Sequence, residues 1–270
     1  MRRIQPSRGW TAVDLQELWD HRNLLFYLVW RDIRVLFSNT GLGILWIVLQ
    51  PLATAIVITI VLGYFARVPT NNIPYPVVVL SGLVLYNYFS VVVTQAAHSM
   101  VNSAYLLTKV YFPRLIIPTV PVLTGLIDAM VLLIVLLIVA FLYNILPTIT
   151  WLFLPIPILI NIILTLGVGL WVSALNVQYR DVGKAIPIFL QIGTYASPIF
   201  YLSSLVPEGW RGVYSLNPIV GVVDGLRWSL LGVGPFPGIP LAVSIVAALL
   251  LFTSGIFFFR GMEEKAADLI

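Results

Sequence analysis

Charge is confined to a few short clusters in this chain, and between them lie six apolar stretches, roughly 41–66, 76–97, 115–143, 149–175, 185–205 and 238–260. A helix that crosses the hydrocarbon core of a bilayer needs about 20 mostly apolar residues, and each stretch is about that long or longer. The expectation is an all-α integral membrane protein with six transmembrane helices. Composition agrees, at 60 % hydrophobic and 10 % charged, against about 45–50 % and about 25 % in soluble domains. The longest polar stretch is the first 23 residues. No separate soluble domain is expected, and 1–270 reads as one transmembrane unit.

The placement of the cations sets an orientation. With the N-terminus inside, Arg2, Arg3, Arg8, Arg22, Arg31, Arg34, Lys109, Arg114, Arg180, Lys184, Arg260 and Lys265 fall on the cytoplasmic side, and only Arg67, Arg211 and Arg227 fall outside. Cytoplasmic loops are enriched in Lys and Arg, so both termini are expected in the cytoplasm. The formal net charge of +4 is explained by the same rule. The basic residues form no stripe of the kind that binds nucleic acid. The first 23 residues contain no continuous apolar core, so no signal peptide is expected.

Residues 11–38 form the amphipathic element before the first stretch. Thr11 and Asp14 fit a capping box at a helix start. Leu15, Leu18 and Trp19 then share a face, and Leu24–Trp30 is apolar but too short to cross. An interfacial helix lying in the headgroup plane fits this pattern; the alternative is the frayed start of span one. Residues 98–114 and 176–184 read as cytoplasmic connectors, and Asn144–Thr150 as a tight external loop with Trp151 as an interfacial anchor. The segment 206–237 is rich in Pro, Gly and Trp, yet Pro218–Leu231 reads as a helix too short to span. A re-entrant pair of external helices accounts for it, since irregular backbone at depth must be shielded by protein or water. Gly221 and Gly225 have the spacing that lets helices pack closely.

Several chemistries are excluded. Around Gly183-Lys184 the phosphate-binding loop would need glycine and a hydroxyl residue where Gln178 and Ala185 stand. There are no cysteines and only two histidines, His21 and His98, far apart in the sequence. No metal site, no catalytic residue and no cofactor is therefore expected on the chain. Asp128 stands alone within the third stretch. An ionised carboxylate at mid-bilayer costs about 2.5–3.5 kcal/mol, so it is protonated, paired, or facing water or a second subunit. A structural hydrogen bond between helices and a conduit-facing role both remain open.

Four strings resemble one family. They are Trp30-Arg31-Asp32-Ile33-Arg34 with Leu42-Gly43-Ile44-Leu45-Trp46 and Gln50-Pro51-Leu52; Lys109-Val110-Tyr111-Phe112-Pro113-Arg114 with Pro118; Tyr179-Arg180-Asp181-Val182 with Pro187, Gln191 and Ser197-Pro198; and Val206-Pro207-Glu208, Trp210, Asn217-Pro218, Gly221, Gly225, Arg227 and Trp228. In this order they resemble the permease subunits of polysaccharide-exporting type-2 ABC transporters. The family typically has basic residues just before span one, where this chain has Leu36-Phe37-Ser38-Asn39.

The resemblance implies a homodimer around a central path in a bacterial cytoplasmic membrane. It also implies a separate ATPase dimer that binds Mg-ATP on the cytoplasmic side, and a polysaccharide linked through pyrophosphate to a polyprenyl lipid, of O-antigen or teichoic-acid type. On this reading Lys109, Tyr111, Phe112, Pro113 and Arg114 couple the chain to the ATPase, with Tyr179, Arg180 and Asp181 as a second contact. Without the resemblance, the first string serves equally as a basic-aromatic membrane anchor. Asn217, Pro218, Asp224 and Arg227 are candidates for an external gate. Asp224 and Arg227, three apart on a helix, either hold that gate or neutralise a buried turn. Tyr195, Tyr201, Trp228 and Asp128 are candidates for the substrate path. Arg31 and Arg34 suit a pyrophosphate headgroup, and positive-inside anchoring explains them as well. The competing classes are a membrane-embedded polyprenyl-phosphate sugar transferase, a permease for a small lipid or drug, and a non-transporting scaffold.

Overall fold

In the computed structural model, residues 15–38, 45–232 and 235–266 are described. The cap at Thr11 and Asp14 and the start of the first apolar stretch at 41–44 lie outside them. Every regular element among the described residues is helical. Two helices, α1 (Leu15–Asp20) and α2 (Arg22–Ser38), precede α3 (Leu45–Ile58), which continues as a π-helix over Thr59–Phe65. Then follow α4 (Tyr75–Asn102), α5 (Ala104–Lys109), α6 (Ile116–Leu142), α7 (Pro155–Gln178) and α8 (Asp181–Ala196). The chain closes with α9 (Glu208–Tyr214), α10 (Pro218–Leu231) and α11 (Gly238–Ala266).

Five helical segments are long and apolar enough to cross a membrane: Leu45–Phe65, Tyr75–Asn102, Ile116–Leu142, Ile149–Gln178 and Gly238–Met262. They match five of the six expected stretches. The stretch expected at 185–205 departs from the pattern. It forms α8, only 16 residues long and so about 24 Å, against a hydrocarbon core of about 30 Å. The helix stops where Pro198 disfavours the α conformation at the residue before it, and Ser197 is extended at φ −113°, ψ 157°. The chain then runs inward, with Ser197, Ile199, Phe200 and Leu202 all buried. The connector expected at 176–184 shrinks to Tyr179 and Arg180, because α7 runs on to Gln178 and α8 starts at Asp181.

Two large apolar clusters, with two small ones around Tyr88 and Val93 of α4, hold the bundle. At the end carrying α9 and α10, residues of α4, α6, α7, α10 and α11 pack with Ile199 and Phe200. At the opposite end, Leu28 of α2 meets Met100, Phe112, Ile116, Leu170 and Phe259. In α1, Leu18 packs toward this second cluster while Trp19 stays exposed, so the two do not share an environment. Van der Waals packing and small residues replace hydrophobic drive between helices in lipid, and two crossings show it. A Cβ on Gly82 of α4 would sit 2.6 Å from the Ile199 backbone, and one on Gly221 of α10 would sit 2.0 Å from the Pro240 carbonyl oxygen. The sequence spacing marked Gly221; nothing local marked Gly82.

Candidate functional site

The break after α8 leaves backbone carbonyls without helical partners in a buried place, and such groups must be satisfied. Arg227 of α10 does most of this. Its Nη2 donates to the carbonyls of Ile199 (3.1 Å) and Val78 (2.9 Å), its Nη1 to Tyr201 (3.0 Å), and its Nε to Ser81 Oγ (3.0 Å). Tyr75 supplies the missing partner, donating to the Phe200 carbonyl at 2.7 Å. The planar guanidinium suits this task because its five N–H groups point along fixed directions.

The expected Asp224–Arg227 pair is present but looser, at 3.9 Å between Nη1 and Oδ1. Burial pulls the Arg227 guanidinium down to about 10, against the opposing pull of Asp224. Burial also raises the Asp224 carboxyl above its ordinary range, while Arg227 pulls it down. The pair is thus the charge balance of a knot whose closer bonds are to carbonyl and hydroxyl oxygens.

Asn217 closes the other side of the knot. Its side chain accepts from the Ile219 N–H (3.0 Å), capping α10, and donates to Ser197 Oγ (2.9 Å). Pro218 follows at the first helical position, where its missing N–H costs nothing, and its carbonyl accepts from Ser244 Oγ at 2.6 Å. Tyr201 donates to the Tyr195 carbonyl (3.1 Å) and accepts from the Tyr214 hydroxyl (3.2 Å). Asn217 and Arg227, near the two ends of α10, thus hold successive points of the segment after α8, with Pro218 beside the first, Asp224 beside the second, and Tyr201, bonded to Tyr195, within the segment. Trp228 is elsewhere, packed edge-on against Phe153 and Phe236 with centroids 5.7 and 4.9 Å away. The Trp151 indole donates to the Leu230 carbonyl (2.8 Å), satisfying the last turn of α10.

The two connectors lie at the opposite end of the bundle. After α5 the chain becomes extended at Val110, and period-two alternation sends the next two aromatics apart. Tyr111 is 83 % exposed and Phe112 4 %. Phe112 belongs to the second apolar cluster, so the two do not form one protruding aromatic pair. Lys109 lies over the Tyr105 ring, 4.1 Å from its centroid, and donates to its hydroxyl. Pro113 and Arg114 are half-buried, and Tyr179, Arg180 and Asp181 are exposed. A residue unmarked by the sequence ties the connectors. Buried Asn176 donates to the Ala97 carbonyl of α4 (2.8 Å) and accepts from the Gly183 N–H of α8 (2.8 Å). Its signal was a polar residue at the edge of an apolar run.

Near this end, Arg31 forms a two-pronged bond to Asp32 Oδ1 (2.7 and 2.9 Å), and the Arg34 guanidinium lies 5.1 Å from the centre of the Trp30 ring. Asp128 lies on α6 and its Oδ1 is buried without a hydrogen-bond partner. It is thus not engaged in the inter-helix hydrogen bond considered for it. Among the described residues, no group of acidic and histidine side chains is arranged to hold a metal ion.

Residues 23–231 match the family model described as ABC-2 type transporter. The chain is 29 % identical over 259 residues to the O-antigen export system permease protein RfbA of Myxococcus xanthus, covering 94 % of this chain and 98 % of that one. It is 25 % identical over 250 residues to the protein of the same name from Klebsiella pneumoniae, covering 92 % and 95 %. It is also 27 % identical over 237 residues to the polysialic acid transport protein KpsM of Escherichia coli, covering 87 % and 91 %.

Proposed function

This chain belongs to the ABC-2 type transporter family, and from that premise we propose that it is the membrane permease of an ATP-driven exporter of a lipid-linked polysaccharide. The carrying observation is that similarity to O-antigen export permeases runs over almost the whole of both chains. The cargo is then an O-antigen-like polymer on a polyprenyl-pyrophosphate carrier, taken from the cytoplasmic side of a bacterial inner membrane. ATP and Mg²⁺ are bound by a separate ATPase dimer, and two copies of this chain enclose the path.

In this reading both termini are cytoplasmic, and the sixth crossing is α8 together with the extended segment that follows it. Helices α1 and α2 lie at the interface, an arrangement supported by the exposed aromatics Trp19, Phe26, Tyr27 and Trp30 opposite buried Leu28. Helices α9 and α10 form the re-entrant external pair. The Arg227 knot then serves as the frame of an external gate, since it clamps the irregular segment that follows α8. Tyr111, Tyr179, Arg180 and Asp181 face the ATPase, while Lys109 and Phe112 shape the connector behind them. Arg31 and Arg34 meet an anionic headgroup, a role that their exposure supports.

Reconstitution of the chain in vesicles with and without its ATPase tests this. The expected result is delivery of a pyrophosphate-linked polysaccharide to the far leaflet only with ATPase and ATP. Turnover of a lipid-linked sugar by the chain alone would replace this reading with the transferase.

A further inference from the structure

Between α2, the second half of α4 and the first half of α6 lies a cavity of about 700 Å³. Helix α4 contributes Thr94, Gln95, His98, Ser99 and Asn102, which share one helical face. Helix α6 contributes Thr124 and Asp128, one turn apart, and α2 contributes Arg31 and Asp32. Arg31 and Asp32 have side chains 50 % and 38 % exposed and mark the open end. Asp128, with its buried Oδ1, marks the closed one.

The hydrogen bonds of the wall decide what the cavity offers a ligand. Thr124 Oγ1 gives its proton to the carbonyls of Val120 and Pro121, Thr94 Oγ1 to Ser90, and Ser99 Oγ to Ala96. A hydroxyl carries one proton and two lone pairs, so the Thr94 and Thr124 hydroxyls present lone pairs to the cavity, while Ser99 Oγ also lies 3.4 Å from Ser173 Oγ. Among the described residues, Arg31 is the only Lys or Arg in the lining, and its guanidinium is engaged by Asp32. Gln95 and His98 are able to donate, but neither bonds Asp128. The deep end is therefore rich in acceptors and holds a carboxylate with no counter-ion.

We infer that this cavity binds a primary ammonium group, with Asp128 as its counter-ion and the Thr94 and Thr124 oxygens as further acceptors. An ammonium has three donors and no acceptor, which matches such a wall. Calcium would require six to eight oxygen ligands, and both calcium and magnesium sites draw on carboxylates, whereas one unpaired carboxylate is present here. A neutral polyol would leave the carboxylate charge uncompensated. The ammonium is supplied either by a soluble small amine or by the headgroup of an aminophospholipid. The site does not depend on the polysaccharide reading: of its lining only Arg31, at the open end, enters that reading, and the proposed ligands Asp128, Thr94 and Thr124 do not.

The test uses the full chain in nanodiscs of phosphatidylglycerol, with thermal unfolding followed as putrescine is added. A saturable rise in the midpoint is expected, and Asp128→Asn should weaken the apparent affinity by roughly tenfold to a hundredfold, the range for a charge-assisted hydrogen bond. Without amine, Asp128→Asn should unfold no earlier than the parent chain, because an uncompensated carboxylate has been removed. Should that variant fail to fold, Thr124→Val carries the test, with a smaller loss of affinity. The same stabilisation on replacing part of the lipid with phosphatidylethanolamine assigns the ammonium to the headgroup, and a response to putrescine alone assigns it to a soluble amine. An equal response to uncharged 1,4-butanediol, an unchanged response in the variant, or no response to either amine source overturns the site.

Discussion

Arg227 carries a full charge at 4 % exposure, and its guanidinium spreads four hydrogen bonds over the start of α4 and the segment after α8. Removing such a group strands its partners, and a broken buried charge site typically costs about 3–5 kcal/mol. Arg227→Met should therefore lower thermal stability far more than Asp224→Asn, for which about 1–2 kcal/mol is expected from one altered contact. Unfolding midpoints of the two variants check the order; a larger loss in Asp224→Asn would return the salt bridge to the centre of the knot. The spacing of Asp224 and Arg227 was legible because it is local. The shorter bond to Ser81 joins residues 146 apart in the chain, and no spacing rule reaches that far.

At the scale of elements, the segment after α5 divides two adjacent aromatics between two tasks. Phe112 fills the second apolar cluster, so Phe112→Ala should cost about 3–5 kcal/mol of stability. Tyr111 touches solvent over most of its surface, so Tyr111→Ala should stay within about 0.5 kcal/mol while lowering the polymer exported per ATP hydrolysed. Midpoints combined with an export-to-hydrolysis ratio separate the two outcomes. A stability loss in Tyr111→Ala equal to that in Phe112→Ala would remove the distinction. The string of residues 109–114 was readable as a functional connector, but the division was not. It follows from the extended conformation at Val110, which sets successive side chains on opposite sides.

For the whole molecule, α8 leaves Ile188, Phe189, Ile192 and Tyr195 uncovered although it packs on α4 and α7. The wall of α3 and its π-helix, which packs on α4 and α6, leaves Ile56, Val57, Ile60 and Tyr64 uncovered in the same way. In the proposed homodimer these surfaces line or flank the path between two copies. A single cysteine at Ile192 in this cysteine-free chain should then cross-link to its counterpart in membranes, and to a lesser extent when placed at Ile138 of α6, which is uncovered as well. Equal cross-linking at both positions would argue against a dimer through α8.

The sequence alone determined that the chain is helical and membrane-embedded, and it placed α10 at Pro218–Leu231, residue for residue. These follow from local physics: backbone groups must be satisfied within each span, and a proline after an asparagine starts a helix. It also grouped Asn217, Pro218, Asp224 and Arg227, because they share one short element. Only the tertiary structure decided that the fifth apolar stretch breaks at Ser197, that Arg227 and Tyr75 hold the break, and that Phe112 turns inward. Apolarity marks a segment as buried without saying whether its backbone is helical. The partners that make an unwound segment tolerable come from elements far away in the chain.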